Sequence, residues 1–547
     1  MVKKPRKYIF VSGGVISGVG KGITTASISL LLKSHGYKVS PFKCDPYINV
    51  DAGTMNPTEH GEVFVTDDGA ETDQDLGNYE RFLNENLSKL NFTTTGKVYS
   101  EIIARERRLE FEGRCVEVVP DVPNQIISQI DLLADKSKAD IVVIEIGGTV
   151  GEYQNTLFLE ANRILKLLHP KDVVHIHVVH IHVGYLPTPK SIGEMKSKPI
   201  QQSVRMLNSF GLQPDFLICR SEFPMDQKRK DKLSLFCNMI PENIISNPDV
   251  ESIYDIPIIL NSQKFCNQIL KKLFLKKKNS KIAAWEKYVQ KTKNPKKTIN
   301  IAVVGKYFNT GDFNLSDSYI SVIEAVKHAG VANSVAVKLS WIDSQTLDSD
   351  KKTKEVLSEF SGIVVPGGFG VRGVDGIIRA IKYARTENVP YLGLCYGLHL
   401  AVVEFCRNVL GISDADTTEI SPKTKNPVID IMETQKIKLA KAEMGNSMRL
   451  GLYKCKLSPL SLAKKLYNKG IIFERHRHRY EVNNSYVNKF TKAGLEVSGI
   501  NPETGLVEII EIPTHPFFIA SQFHPELLSR PLSPHPMFVG FIKSAIK

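Results

Sequence analysis

The chain has 547 residues, 42% of them hydrophobic and 24% charged, which is too long for one core and ordinary for a globular protein of about two to four domains. No run approaches the ~18 consecutive apolar residues of a membrane span, and the basic start, Met1 to Lys7, leads into a β-type stretch and a glycine turn instead of a signal-peptide core. The net charge of +13 is no footprint of a nucleic-acid partner, because residues 271–297 hold eleven lysines against one acid, Glu286, and the remainder is nearly balanced. The eight cysteines include no Cys-x-x-Cys pair and no Cys/His set at zinc spacing. Reduced thiols in a cytoplasmic protein are therefore expected.

Tyr8 to Val11 reads as a strand that enters a glycine-rich turn, Gly14-Val15-Ile16-Ser17-Gly18-Val19-Gly20-Lys21, and Ile23 to Lys33 as the helix after it. Strand, glycine turn, lysine and helix make a device for phosphates: backbone N–H groups converge on the anion, and the helix N-terminus and Lys21 add positive potential. The spacing departs from the common P-loop. Five residues separate Gly14 from Gly20, and Gly22 stands where Ser or Thr would hold Mg²⁺. Metal ligands must then come from elsewhere, and Asp75 and Glu145, the latter near the end of the apolar run Ala139 to Ile146, are the candidates. A structural turn with a surface lysine is the bland alternative.

Further along, Val173-Val174-His175-Ile176-His177 is followed at once by an identical pentad, Val178 to His182. Five is odd, so in one continuous strand the two histidine pairs point to opposite faces and cannot meet on one metal. A strand carrying both copies would run to about eleven residues, beyond the usual length. The expectation is that Val178 to His182 takes the sheet position, that the first copy extends or bulges the preceding connection, and that no metal binds. Pro214 to Cys219 is the next strand-like run, and the alternation of runs and helical patterns implies a parallel sheet with helices on both faces.

The lysine-rich stretch then reads as a solvated linker, with Asn294-Pro295 near its end. After it the pattern restarts with a strand at Ile299 to Val304 and helical spacing over Ser316 to Ala329. Ile363 to Val365 runs into Pro366-Gly367-Gly368, and Tyr391 to Leu394 into Gly393-Leu394-Cys395-Tyr396-Gly397. The flanking glycines permit a sharp turn that exposes Cys395 at the N-terminus of the helix Leu398 to Cys406, where its thiol pKa should fall. His524 and Glu526 supply a base and its orienting acid, and the backbone around Gly367-Gly368 can donate to an oxyanion. A buried core thiol is the alternative for a lone cysteine. Cys44, Cys115, Cys219, Cys237, Cys266, Cys406 and Cys455 lack such a setting. One half of the chain thus reads as holding a triphosphate and the other as attacking an amide.

The glycine turn, Asp45 to Asp51 (DPYINVD), His60 to Phe64 (HGEVF), Glu145 to Gly151 (EIGGTVG) and Arg475 to Glu481 (RHRHRYE) together resemble the CTP synthase family, from about Tyr8 to the C-terminus, and the cysteine half resembles class I glutamine amidotransferases. The resemblance implies an α/β protein of two domains. One is an N-terminal P-loop, dethiobiotin-synthetase-like parallel sheet with helices on both faces (1–270, binding ATP and UTP). The other is a C-terminal flavodoxin-like amidotransferase domain (299–547), with 271–298 as the linker. It implies that ATP phosphorylates O4 of UTP and that ammonia from glutamine displaces the phosphate to give CTP. By motif, Ser17, Gly18, Val19, Gly20, Lys21, Gly22, Lys43 and Asp75 would hold ATP, Asp75 and Glu145 Mg²⁺, and Lys196, Lys198, Gln201 and Lys232 UTP or CTP. Cys395, His524 and Glu526 would be catalytic, Gly368, Glu419 and Arg479 would bind glutamine, and Arg372 would meet GTP as activator. CTP as feedback inhibitor and a homotetramer are implied too, with filament formation left open.

Three departures stand out from the family pattern. His399 replaces a common Gln, Gln154 replaces an acid beside the pyrimidine, and the pentad is doubled. Two other readings compete. A P-loop amidotransferase of the corrin-ring amide synthase type would lack the lysine pair around Pro199 and the Arg475–Arg479 segment. A non-catalytic nucleotide-binding or filament protein would have lost the catalytic side chains.

Overall fold

The computed structural model describes residues 6–16, 18–180, 197–306, 309–310, 313–314, 316–431 and 448–546. The chain divides into two compact units, Met1–Ala52 with Asp75–Val289 and Gly53–Gln74 with Gln290–Lys547.

In the first unit seven strands form one sheet: β1 (Lys7–Gly14), β2 (Val39–Asp45), β3 (Phe92–Thr94), β4 (Ile141–Ile146), β5 (Val173–His180), β6 (Phe216–Ser221) and β7 (Ile244–Pro248). Their order is β3–β2–β4–β1–β5–β6–β7, and every neighbouring pair is parallel. The central strands are buried along their whole length, which is why they read as continuous apolar runs instead of alternating ones. Tyr8, Phe10, Val142 and Ile144 belong to one core with Ile126, Ile130 and Phe158, on helices α3 (Val118–Ser137) and α4 (Thr156–Leu168). Val179, Leu217 and Ile244 pack with Ile200 and Val204 of α5 (Lys198–Ser209). Helix α1 (Lys21–Ser34) follows β1, and α2 (Asp75–Leu83) packs beside it.

The tandem pentad differs from expectation. It is the first copy that lies in register, Val173 to His177 facing Tyr8 to Ser12, and the strand continues through Val178 and Val179 beside Gly13 and Gly14. Residues 181 and 182 lie outside the described set. The physical reason is a buried polar network that the first copy completes. His175 sits 2.8 Å from Ser12 Oγ and 2.5 Å from Asn162 Nδ2, and His177 sits 2.9 Å from the same Ser12 Oγ and 2.8 Å from Ser203 Oγ on α5.

The lysine-rich stretch is not a solvated linker throughout. Tyr37 Oη donates to the Lys276 carbonyl at 2.5 Å, Lys281 N–H donates to the Ser34 carbonyl at 2.8 Å, and α6 (Ala283–Lys293) buries Trp285, Tyr288 and Val289. Trp285 packs on Phe82 and Tyr254 with ring centroids 5.1 and 5.6 Å away. An aromatic of this size contributes about 1.5–3 kcal/mol on burial, so three apolar residues at helical spacing outweigh a charge-rich composition.

The second unit is built on a nine-stranded sheet: β8 (Thr298–Gly305), β9 (Ala336–Asp343), β10 (Gly362–Val365), β11 (Tyr391–Leu394), β12 (Arg449–Leu457), β13 (Ile471–His478), β14 (Glu496–Ile500), β15 (Val507–Glu511) and β16 (Phe518–Ser521). The order is β9–β8–β10–β11–β16–β15–β14–β12–β13. The first five strands are parallel, in the flavodoxin-type 2-1-3-4-5 arrangement, and the others extend the sheet antiparallel. Residues 53–74, read from sequence as part of the first domain, belong to this unit. Asp67 accepts from Arg475 Nε at 2.7 Å, Glu71 accepts from Arg477 Nε at 2.8 Å, and Glu62 accepts from Ser321 Oγ.

Burial pushes His177 down to about 3, Lys21 adding to the effect, and holds His175 well below the usual range, with His177 and Lys166 contributing. Both are neutral when folded and take up a proton on unfolding in mild acid. Their stabilising contribution is fully present above about pH 6.5 and is lost as pH falls from there toward 3. Replacing His177 with Gln should remove about one proton of uptake at pH 5, so urea midpoints should fall less between pH 7 and pH 5 in the variant. Equal falls in variant and parent would contradict the assignment.

Candidate active sites

In the first unit β1 ends at a turn with repeated positive φ, at Val15 (80°) as well as at two glycines. Gly18 and Gly20 have φ of 69° and 90°, and a Cβ on Gly13 would lie 2.7 Å from Cδ of Lys21. Lys21 opens α1, folds back over Gly13 and donates to the Gly148 carbonyl at 2.9 Å. Val19 is buried in the same turn, and Ser17 lies outside the described residues. Burial lowers the Lys21 ammonium, with Glu145 opposing.

Beside it lies a second lysine. Lys43 Nζ donates to Asp75 and, at 3.1 Å, to Glu145 Oε1, and it sits 3.6 Å from Asp45 Oδ1. The Tyr79 hydroxyl donates to the other Glu145 oxygen. Burial followed by the Asp75 charge drives Glu145 up to about 7, and burial raises Asp45 to about 6 against the pull of Lys43. Burial opposes ionisation of Asp75 too, but Lys43 overcomes it and holds that carboxyl below its usual range. Gly22 is explained at the same point: a Cβ there would fall 1.9 Å from Asp75 Oδ1. The position that carries a hydroxyl in the common P-loop is given up to a carboxylate from α2.

This donor set fits Mg²⁺. Three carboxylates gather at Lys43 in a desolvated pocket, where burial, followed by the Asp75 charge, raises Glu145. Among the described residues no three His, Cys, Asp or Glu side chains are placed to hold a metal ion by themselves. Mg²⁺ is commonly held by one or two carboxylates, with phosphate and water completing the octahedron. Asp75 and Glu145 could supply that pair.

The residues expected at UTP are less gathered. Lys196 lies outside the described residues. Lys198, in the first turn of α5, and Lys232 are exposed. Gln201 is buried and donates to Ser197 Oγ at 3.2 Å. Gln154 is exposed and donates to Glu152 at 3.0 Å.

In the second unit β11 turns into α7 (Tyr396–Asn408) through Cys395, whose φ of 50° and ψ of −95° are those of a strained elbow. Such a conformation costs about 1–3 kcal/mol in a non-glycine residue. It is held by Cys395 N–H donating to the Ser521 carbonyl at 2.7 Å. A Cβ on Gly397 would come within 2.4 Å of the Val365 carbonyl, and one on Gly393 within 2.7 Å of the Tyr391 hydroxyl, so both glycines are set by close approach. His524 Nδ1 is 2.7 Å from Glu526 Oε1, and its Nε2 is buried. Burial alone would lower this imidazole, but Glu526 and then the Cys395 sulfur hold it well above the usual histidine range. The imidazolium form of His524 is therefore favoured beside the Cys395 sulfur, the setting a cysteine nucleophile needs.

Cys395, His524, Glu526, Gly368, Glu419 and Arg479 all line one cavity of about 650 Å³, to which Gly53 to Pro57, Glu62 and Val63 also contribute. Arg372 lies outside it, exposed, and donates to Gln345 Oε1 at 2.8 Å. His399 borders the cavity. Burial pushes it down to about 4, its Nε2 is 3.0 Å from Gln522 Oε1, and Gln522 Nε2 donates to the Cys395 sulfur at 3.8 Å. With Gln522 turned to donate to sulfur, the neutral His399 carries its proton on Nε2, so the departure at 399 preserves a polar chain to the Cys395 sulfur. Tyr79, Gln522, Lys306 and Tyr396 escaped the sequence reading. Only Tyr396 offered a signal, its place next to the cysteine.

Residues 7–275 match the CTP synthase N-terminus family, and residues 314–544 match the class I glutamine amidotransferases. A CTP synthase of Caldanaerobacter subterraneus subsp. tengcongensis is 48% identical over 540 residues, 99% of this chain and 98% of the relative. One of Nostoc punctiforme is 48% identical over 99% of this chain and 97% of its own. The chain belongs to the CTP synthase family. The acivicin-bound glutaminase domain of Trypanosoma brucei CTPS is 38% identical, with 45% of this chain and 94% of that one covered at a TM-score of 0.42. As a CTP synthase family member the chain is an enzyme, and it is built as two α/β units. No helix among the described residues is long and apolar enough to cross a membrane.

Substituting Gly22 with Ala should expel Asp75 from its place beside Lys43. Misplacing a positioning group by about 1 Å can cost on the order of a hundredfold. Ammonia-driven CTP formation should fall by about that factor in the variant while basal glutamine hydrolysis persists. A Gly22→Ala enzyme that makes CTP at the parental rate would show that Asp75 has no role there.

Proposed function

We propose that the chain aminates UTP to CTP, with ATP phosphorylating O4 of UTP and ammonia from glutamine displacing that phosphate. The observation that carries this reading is the presence, in one chain, of a lysine-backed phosphate turn flanked by three carboxylates and of a Cys–His–Glu set on a strained elbow. Membership of the family names the acceptor.

In the glutaminase step the Cys395 thiolate adds to the side-chain amide carbon of glutamine, and backbone N–H groups at Gly368 and Tyr396 receive the oxyanion. His524, held by Glu526, passes its proton to the leaving nitrogen, so that ammonia departs and a thioester remains. It then takes a proton from the water that hydrolyses the thioester, releasing glutamate. Arg479 suits the α-carboxylate of glutamine and Glu419 its α-ammonium.

In the synthetase step the Gly18–Lys21 turn and Lys43 receive ATP phosphates, and Asp75 and Glu145 hold Mg²⁺. When bound, the ion neutralises charge on the phosphates. Lys196, Lys198, Gln201 and Lys232 are proposed to meet the triphosphate of UTP, or of CTP as feedback inhibitor, and Arg372 to meet GTP as activator. A cytoplasmic homotetramer acting in pyrimidine biosynthesis completes the proposal.

Cys395→Ala should lower glutamine-dependent CTP formation by roughly a thousandfold or more while ammonia-dependent formation stays largely intact. Parallel loss with both nitrogen donors would refute the division of labour. Asp75→Ala and Glu145→Ala should instead abolish synthesis from either donor and spare basal glutaminase activity. CTP production by either variant at ordinary Mg²⁺ would remove that residue from the metal site.

A further inference from the structure

Lys306 stands at the end of β8, buried, and the mechanism above gives it no part. Its ammonium has three protons and three acceptors: the Phe369 carbonyl at 3.4 Å, the Gly370 carbonyl, and the Tyr396 hydroxyl at 2.7 Å. The Tyr396 hydroxyl in turn donates to the Gly370 carbonyl at 2.8 Å, and the Gly370 N–H donates to Glu419 Oε1 at 2.9 Å. The Lys306 ammonium also lies 4.2 Å from the centre of the Tyr396 ring, and a Cβ on Gly368 would lie 3.7 Å from Cδ1 of that ring.

Tyr396 is the residue after the nucleophile, so its backbone N–H is one of the two donors to the oxyanion, and the Gly367–Gly368 turn carries the other. The loop that continues from that turn, Phe369-Gly370, is bound by the Tyr396 hydroxyl. We propose that Tyr396 and Lys306 are positioning residues that fix the separation of the two halves of the oxyanion hole, Tyr396 by joining both and Lys306 by locking its hydroxyl onto the Gly370 carbonyl. Neither touches the reacting atoms through its side chain. Burial lowers the Lys306 ammonium to about 8, with Glu419 opposing, a cost that its hydrogen bonds offset. The assignment rests on the glutaminase reading of this cavity.

The test uses the full-length enzyme with Tyr396→Phe, Lys306→Met and the double variant. It measures steady-state glutamine hydrolysis and, separately, the rate at which iodoacetamide alkylates Cys395. Alkylation needs the thiolate but forms no oxyanion, so it reads the nucleophile apart from the hole. Tyr396→Phe should lower kcat about tenfold or more, short of the ~100-fold loss of a whole donor, with KM within about threefold and alkylation within about twofold. The double variant should lose little more than the worse single one, because both residues serve one clamp. A Tyr396→Phe enzyme with kcat within about twofold of the parent would overturn the proposal, even if Lys306→Met fails to fold. So would alkylation falling in step with kcat, which would place the damage at the thiolate. A parent enzyme whose glutamine hydrolysis survives Cys395→Ala would instead sink the glutaminase reading itself.

Discussion

Both sites depend on one constraint: backbone must pass where no side chain can follow. In each unit a buried parallel strand ends, the chain reverses within a few residues, and a helix begins with its N–H groups facing the ligand space. At the nucleotide turn Gly13 lies under Lys21 and Gly22 under Asp75; at the elbow Gly393 and Gly397 lie against β10, β16 and the Tyr391 hydroxyl. In each case the missing Cβ leaves room for a functional group or for a carbonyl that fixes one. Gly367 belongs to the same set, since a Cβ there would sit 2.9 Å from the His524 ring. The sheet makes these approaches rigid, because its strands are buried on both faces and cannot yield without losing core packing.

Upon that frame each unit buries a lysine as an organiser. Lys43 gathers Asp45, Asp75 and Glu145, and Lys306 gathers two carbonyls and a phenol. The two differ in what they leave over. Around Lys43 three carboxylates are gathered, the donor set that the proposed metal-bound nucleotide would use. Around Lys306 three protons meet three acceptors, which suits a static clamp more than a binding site. The histidines follow the same logic: His175, His177 and His399 are stripped of charge by burial, whereas His524 beside Glu526 and Cys395 is driven the other way. Partnership and not burial separates the imidazole proposed as catalytic from the structural ones.

What could be read from the sequence follows from how local each feature is. The glycine turn with Lys21 and the elbow around Cys395 are contiguous, so spacing carries their chemistry. Asp75 and Glu145 could be singled out because Gly22 offers no hydroxyl, and the structure gathers both at Lys43. Tyr79, Gln522 and Lys306 were not, since each acts across tens to hundreds of residues of sequence through a contact that only the sheet order creates. The tandem pentad misled for a related reason. Two identical copies have identical propensity, and the choice between them lies with Ser12, Asn162 and Ser203, which no local pattern ties to the repeat. At the linker the count of lysines hid Trp285, whose partners Phe82 and Tyr254 both lie outside the lysine-rich stretch.

Residues 53–74 carry the consequence furthest. They lie between Ala52 and Asp75, both of the nucleotide unit, yet they fold with the glutaminase unit and line its cavity. Arg475 is fully buried and takes its carboxylate partner, Asp67, from this segment, and Arg477 takes Glu71 and the Gly53 carbonyl. A buried guanidinium without a partner is strongly destabilising, so the segment is part of the second unit's electrostatics and not a loop resting on it. The same segment runs directly into Asp75, the carboxylate bound to Lys43. The chain passes from one unit to the other in three places, at Ala52–Gly53, Gln74–Asp75 and Val289–Gln290, and the lysine-rich stretch holds only the last of them.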